Sequence, residues 1–156
     1  MRLSKNFLSD YLDIKNITFS EVAEKMLLVG NEYDEYKKLC DGKNILVGQV
    51  VSCQKHPESN KLSICRVDTG NETNQIVCGA LNVAKDQKVV VVLPGSLLPG
   101  NIEIKKAKLA GVESNGMICS LAELGLDKKF LKESDYEEIL VLDKSAKIGE
   151  DAIKYL

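Results

Sequence analysis

Lys105, Lys106 and Lys108 fall within four residues, in the segment IEIKKAKL, and could neutralise phosphates. In a strand, Lys106 and Lys108 share one face and Lys105 points away. Ile102 and Ile104 precede them in the same register, so that face turns from apolar to basic along its length. This suits a strand leaving a core at a barrel rim. It also suits a solvated edge strand that lysines guard against pairing. A second candidate is His56-Pro57-Glu58-Ser59-Asn60-Lys61-Leu62, expected as a loop between two strands. It could present Ser59, Asn60 and Lys61 to a phosphate or a base edge, or be a polar turn only. The segment Gly111-Val112-Glu113-Ser114-Asn115-Gly116-Met117 has two glycines flanking small polar residues. It could bring backbone amides, Ser114 and Asn115 close to a ligand, or be a tight connection. Gly79-Ala80-Leu81-Asn82-Val83 reads the same way, with Asn82 as its polar candidate.

Other chemistry finds little support. The chain has one histidine, His56, with no nucleophile and acid at a recognisable spacing. No Gly-x-x-x-x-Gly-Lys-Ser/Thr, Gly-x-Gly-x-x-Gly or His-Glu-x-x-His occurs. The five cysteines, Cys40, Cys53, Cys65, Cys78 and Cys119, are odd in number and never spaced Cys-x-x-Cys. A disulfide framework is therefore not expected. A zinc site from Cys53, His56, Cys65 and Cys78 would lack paired ligand spacing. Small apolar fillers on strands is the better reading. Three Phe, five Tyr and no Trp leave few platforms for stacking single-stranded bases. The net charge of −2 argues against coating nucleic acid by bulk charge, so any polyanion contact must be a local basic patch. No residue is expected to be catalytic, and none to hold a metal or cofactor.

The elements that must position these groups are legible in outline. A length of 156 residues suggests one main domain with a small appendage. Residues 1–39 read as helical. Leu3, Phe7, Leu8, Tyr11 and Leu12 recur at helical spacing. Thr18 and Glu21 form a capping box before Val22, Met26, Leu27 and Val29, and Gly30 supplies a stop. Glu32 to Tyr36 alternates like a short strand. From Ile45 the period becomes two, with strands expected at Ile45–Gln54, Leu62–Asp68, Asn74–Cys78, Lys88–Leu93, Ile102–Leu109, Met117–Cys119 and Glu138–Leu142. Ser120 and Glu123 form a second capping box, Lys128 to Glu138 a charged surface loop, and Ile148 to Leu156 a tail. Many short strands with glycine-marked turns favour a small barrel or sandwich. The longest apolar run, Val89 to Leu93, is far short of a membrane span, and MRLSKNF lacks the apolar core of a secretory signal. A cytoplasmic location is the default expectation.

Four segments resemble one family in order. HPESNKL resembles the His-Pro-x-Ala-Asp-Lys-Leu element of the tRNA-binding domain shared by several synthetases and free-standing tRNA-binding proteins. IVCGALNV resembles its Val-Cys-Gly-Ala-x-Asn-Val strand and turn, and IKKAKLAGVESNGMICS its Lys-x-x-x-Leu-Arg-Gly-Val-x-Ser-x-Gly-Met segment. ELGL follows as it does there. Together these cover about Ile45 to Leu126. The start, MRLSKNFLSDYL, resembles that of bacterial phenylalanyl-tRNA synthetase β subunits, with Phe7 where Trp is common. Departures are Ser59-Asn60 for Ala-Asp, Leu81 for a common Pro, and Ala110 for a frequent Arg.

The resemblance implies a mainly β chain. Its centre is an OB-fold five-stranded barrel over residues 40–150, a fold that binds oligonucleotides. Residues 1–39 would be the first half of a small, largely helical α/β subdomain, and residues 151–156 the start of its returning half. The chain is then expected to be a truncated piece. Asn60, Lys61, Asn82, Lys105, Lys106, Lys108, Ser114 and Asn115 would face tRNA. The whole enzyme would be an α₂β₂ class II ligase using ATP, magnesium, phenylalanine and tRNA, with catalysis in the α subunit. This segment itself would be non-catalytic. A free-standing tRNA-binding protein and a structural or protein-docking barrel with vestigial RNA contact stay open.

Overall fold

The computed structural model describes residues 4–14, 16–33, 43–126, 129 and 131–155. The chain divides into two compact units, Met1–Lys38 and Leu39–Leu156. In the first, α1 spans Lys5–Ser9 and α2 spans Phe19–Leu28. Ser4 caps α1, its hydroxyl accepting from the Phe7 amide at 3.0 Å. The Thr18–Glu21 capping box forms as expected: Glu21 accepts from the Thr18 amide at 2.7 Å and Thr18 from the Glu21 amide at 3.3 Å. The inward face of α2 is narrower than its sequence suggests. Ala23 is buried and Val22 and Met26 are half-buried, but Leu27 and Val29 are exposed. Leu3, the end of the Glu32–Tyr36 segment and Cys40 lie outside the described residues. Glu32 and Tyr33 are irregular. No helix among the described residues is long and apolar enough to cross a membrane.

The second unit is an antiparallel sheet in the order β3-β2-β1-β4-β5, with β8 and β9 also pairing β4. The strands are β1 (Lys43–His56), β2 (Ser59–Asp68), β3 (Thr73–Cys78), β4 (Lys88–Leu98), β5 (Ile102–Glu103), β6 (Ala107–Leu109), β7 (Val112–Ser114), β8 (Met117–Ile118) and β9 (Val141–Leu142). A four-residue helix, α3 (Ser134–Glu137), interrupts the expected charged loop. The chain is thus mainly β and OB-like. The strand ladder does not close on itself, and β6 and β7 form a separate two-stranded sheet.

β1 is long because it serves both halves of the sheet. Its first part pairs β4 (Val47 opposite Val90) and its second pairs β2 (Cys53 opposite Cys65). The two parts meet at Gln49, and a bulge at Val51 lies within the pairing to β2. Alternation holds up to that point, with Ile45 and Val47 packed under the covering layer and Val50 inside the barrel; past the exposed Val51 the inward position moves to Cys53. Simple alternation from Ile45 to Gln54 therefore fails at one residue, a bulge that period counting cannot see.

The run of valines in β4 has a direct cause. Val89 and Val91 pack inside the barrel with Val50, Cys65, Val67, Ile76, Cys78 and Ile118. Val90 and Val92 face the other way, against Leu124, Leu142, Ala146 and Ala152. A strand buried on both faces loses alternation and reads as continuously apolar. The covering layer is the chain after β8, held in part by Ser120–Glu123 hydrogen bonds. It is also held by Gly149 N–H to Val47 O and Val47 N–H to Glu150 O, at 2.8 and 2.9 Å. Asp151 bridges Leu46, and a 3₁₀ helix follows at Ala152–Tyr155.

Three cysteines behave as apolar filler: Cys65, Cys78 and Cys119 are buried. Burial first of all pushes the Cys65 and Cys78 thiols well up, so both stay protonated and unreactive near neutral pH. Cys53 is half-buried, its sulfur 3.6 Å from that of Cys65. Among the described residues no three His, Cys, Asp or Glu side chains converge as a metal site would need.

The β6–β7 connection is a two-residue hairpin, Leu109 facing Val112 across Ala110 and Gly111. Both turn residues have positive φ, +46° and +84°. Such a turn suits Asn-Gly or Gly-Gly, and an alanine there is strained. Ala110→Asn is expected to raise the chemical-denaturation free energy by about 0.5–1 kcal/mol. A loss of stability would show that the hairpin does not hold this turn.

Candidate nucleic-acid interface

The β1–β2 connection is tighter than a seven-residue loop. His56 pairs directly with Ser59, leaving Pro57 and Glu58 as the turn. The His56 ring turns inward, 5% exposed, and its Nδ1 accepts the Glu58 amide at 3.1 Å. Nε2 is buried with no partner among the described residues. Ser59, Asn60 and Lys61 are thus the first residues of β2, on a strand scaffold. Asn60 and Lys61 are exposed, while the Ser59 hydroxyl faces back to the Lys61 amide at 3.4 Å.

The basic segment is not one strand. β5 ends at Glu103 and β6 begins at Ala107, so Lys105 and Lys106 lie in the link between them and Lys108 lies on the hairpin. Ile104 still follows β4: its carbonyl accepts the Gly95 amide and its amide donates to Ser96 O, at 2.8 and 3.0 Å. Ile102 is 59% exposed, so the expected apolar-to-basic face along Ile102–Lys108 does not form. All three lysines are exposed. Lys105 pairs with Glu103 at 3.2 Å, both well exposed. Such a pair contributes little to stability, but it offsets part of the charge that Lys105 offers to an anion. Lys106 and Lys108 form no salt bridge among the described residues, though Glu113 stands opposite Lys108 in the hairpin.

Ser114 and Asn82 do different work from that expected. Ser114 is 2% exposed. Its Oγ accepts the Val77 amide at 3.0 Å and donates to Gly116 O at 2.9 Å. The Asn115 amide donates to Gln75 O at 2.8 Å, and Gln75 Nε2 donates to Glu113 O at 2.9 Å. Together these bonds span the seam between the free edge of β3 and the start of β8, where no strand ladder runs. The Asn115 amide and the Ser114 hydroxyl are thus engaged with the barrel. Asn82 clamps Ile139: its Oδ1 accepts the Ile139 amide at 2.9 Å and its Nδ2 donates to Ile139 O at 3.0 Å. Both groups support a surface formed by others. The Asn115 side chain is half-buried beside that seam.

The structure therefore keeps Asn60, Lys61, Lys106 and Lys108 as free polar or cationic groups at the surface. They fall in two sets, one at the start of β2 and one on the β6–β7 hairpin and its approach. β3 joins them, pairing β2 through Ser63 opposite Cys78 and touching the hairpin through Gln75. Arg66, on β2, is exposed on the same strand and was not singled out from sequence. Its signal was present: it is the lone arginine of the barrel unit, at an outward strand position.

Residues 45–151 match the family described as "Putative tRNA binding domain". The whole chain aligns with phenylalanine–tRNA ligase β subunits. It is 45% identical to that of Oceanobacillus iheyensis over 159 aligned positions. The identity is 46% with that of Geobacillus kaustophilus and 44% with that of Bacillus subtilis, each over 158 positions. Every alignment covers all of this chain and 20% of the relative, so the chain spans about a fifth of their length. The matched segment runs from the first buried residue of β1 to the bridge that Asp151 makes with Leu46. It holds every strand of the OB-like sheet, and the chain belongs to the tRNA-binding domain family.

Proposed function

We propose that the chain is the tRNA-binding region of a phenylalanine–tRNA ligase β subunit, assisting aminoacylation of tRNA(Phe) without catalysing it. One observation carries this over a free-standing tRNA-binding protein. The identity to ligase β subunits extends through residues 1–44, beyond the barrel that the wider family shares. The contact is made to backbone and shape, since A-form RNA hides its base edges in a deep groove and the surface here is polar and cationic. Lys61, Lys106 and Lys108 supply charge, Lys105 supplies less, and Asn60 and Asn115 supply hydrogen bonds. Ser114 and Asn82 hold the strands and turns beneath them.

In this reading residues 1–39 and 151–156 are parts of one small subdomain interrupted by the barrel at 40–150. The partners are tRNA and a synthetase α subunit in an α₂β₂ assembly, in the cytoplasm. ATP and magnesium would serve the reaction elsewhere in that enzyme. Among the described residues no carboxylates converge as a metal site would need, and the sequence has no phosphate-binding glycine loop. The test is kinetic. In an assembled ligase, Lys106→Ala with Lys108→Ala should raise KM for tRNA about threefold to tenfold, and leave phenylalanine-dependent ATP–pyrophosphate exchange unchanged. An unchanged KM for tRNA would count against the assignment.

A further inference from the structure

We propose that Arg66 grips a backbone phosphate of the RNA, on the outward face of β1–β2–β3, while Lys108 holds a second phosphate on the neighbouring hairpin. The proposal rests on the tRNA-binding reading and adds a residue to it, on the sheet face with which this fold binds oligonucleotides. The sheet's two halves differ on their outer sides. Over β1 and β4 the chain after β8 covers Val90 and Val92. On β2, Cys65 and Val67 point into the barrel, fully buried, so Arg66 between them points out and is exposed.

Cross-strand pairing fixes its neighbours. Arg66 stands between Ser52 of β1 and Gln75 of β3. Both are neutral and half-buried. Gln75 in turn bonds to Glu113 O, and Glu113 pairs with Lys108. The row is therefore Ser52, Arg66, Gln75, Glu113, Lys108. Arg66 and Lys108 stand on different sheets, with β3 and β7 between them, so each meets a phosphate of its own.

The nearby acids do not consume the guanidinium. Asp68, two residues on and on the same face, accepts the Gly70 amide at 2.8 Å. Glu113 lies beyond Gln75. Arg66 has no ion pair among the described residues. An arginine left free at the centre of a rigid sheet offers a fixed fork, the geometry that matches phosphate with two parallel hydrogen bonds. The lysines, on more adaptable stems, act as point charges.

The experiment compares the chain with Arg66→Ala, Arg66→Lys, Lys108→Ala and the Arg66→Ala/Lys108→Ala pair, titrating tRNA at several salt concentrations. Both positions changed are exposed, and circular dichroism with thermal melting checks that each variant folds. Arg66→Ala should weaken binding several-fold at low salt and flatten the log–log salt slope by roughly 0.7–0.9, one phosphate's worth. Arg66→Lys should keep the slope and still bind about twofold to threefold more weakly, because the charge remains and the fork does not. The double variant should lose both increments. If Arg66→Ala binds like the parent while Lys108→Ala is impaired, Arg66 is solvated surface and the proposal is overturned, with the tRNA-binding reading intact. If the parent chain binds no tRNA at low salt, that reading fails and takes this one with it.

Discussion

Gly116→Ala should be the most damaging single methyl in the barrel, lowering the unfolding free energy by roughly 3 kcal/mol or more. Gly116 sits where the chain leaves the edge of β3 and starts β8 against β4, with φ at +132°. A Cβ there would lie 2.7 Å from the Val92 carbonyl oxygen and 3.5 Å from both Ile76 Cδ1 and Leu93 Cα. The first is backbone in a central strand and cannot swing aside. Two costs therefore add: a conformation open almost only to glycine, and a clash with a rigid atom. Gly100→Ala is the control. Its φ is also positive, +81°, but nothing lies within 4 Å of the added methyl, so about 1 kcal/mol is expected. Urea unfolding of both variants measures the difference. Equal losses would mean that Gly116 does not pass as close to β4 as described.

Asn82→Ala carries the second large effect, about 2–4 kcal/mol, from two hydrogen bonds and not from packing. The side chain satisfies both the amide and the carbonyl of Ile139, a residue only 6% exposed. Truncation leaves both groups buried without partners, which costs more than the bonds themselves contribute. It also frees the segment before β9, where Ile139 plugs the barrel beside Cys78 and Ile118. Asn82→Asp separates the two roles. It keeps the acceptor for the Ile139 amide and loses the donor to the carbonyl, so an intermediate loss is expected. RNA binding measured well below either melting point should change little. A selective loss of RNA affinity with full stability would return Asn82 to the ligand surface.

The pattern of what sequence could and could not convey follows from range. Local signals held. The Thr18–Glu21 and Ser120–Glu123 boxes form because each needs only four consecutive residues. The strands of the sheet follow from period two, and the doubly buried β4 from its unbroken valines. The errors arose where a distant segment decides. Val51 is displaced by a bulge in the pairing of β1 with β2. The lysine strand breaks after Glu103 because Ile104 stays with β4 and the hairpin departs.

The site residues divide along the same line. Lys106, Lys108, Asn60 and Lys61 are charged or polar and stay outside, as their composition alone favours. Ser114 and Asn82 look equally available in sequence. Their partners, Val77 and Ile139, lie 37 and 57 residues away, and that pairing buries Ser114 and occupies the half-buried amide of Asn82. Arg66 went unremarked because an arginine between two core positions reads as an ordinary outward strand residue. Only the uncovered outer face gives it meaning.

The central claim is that exposed cations on the barrel of a chain of net charge −2 make a local, phosphate-directed contact with tRNA. Titrating the unaltered chain with tRNA across a range of salt tests it most directly. Three or four phosphate contacts, from Lys61, Lys106, Lys108 and Arg66, predict a log–log slope of about −2 to −4 and affinity that fades as salt rises. Binding that is independent of salt, or absent at low salt, would contradict the account.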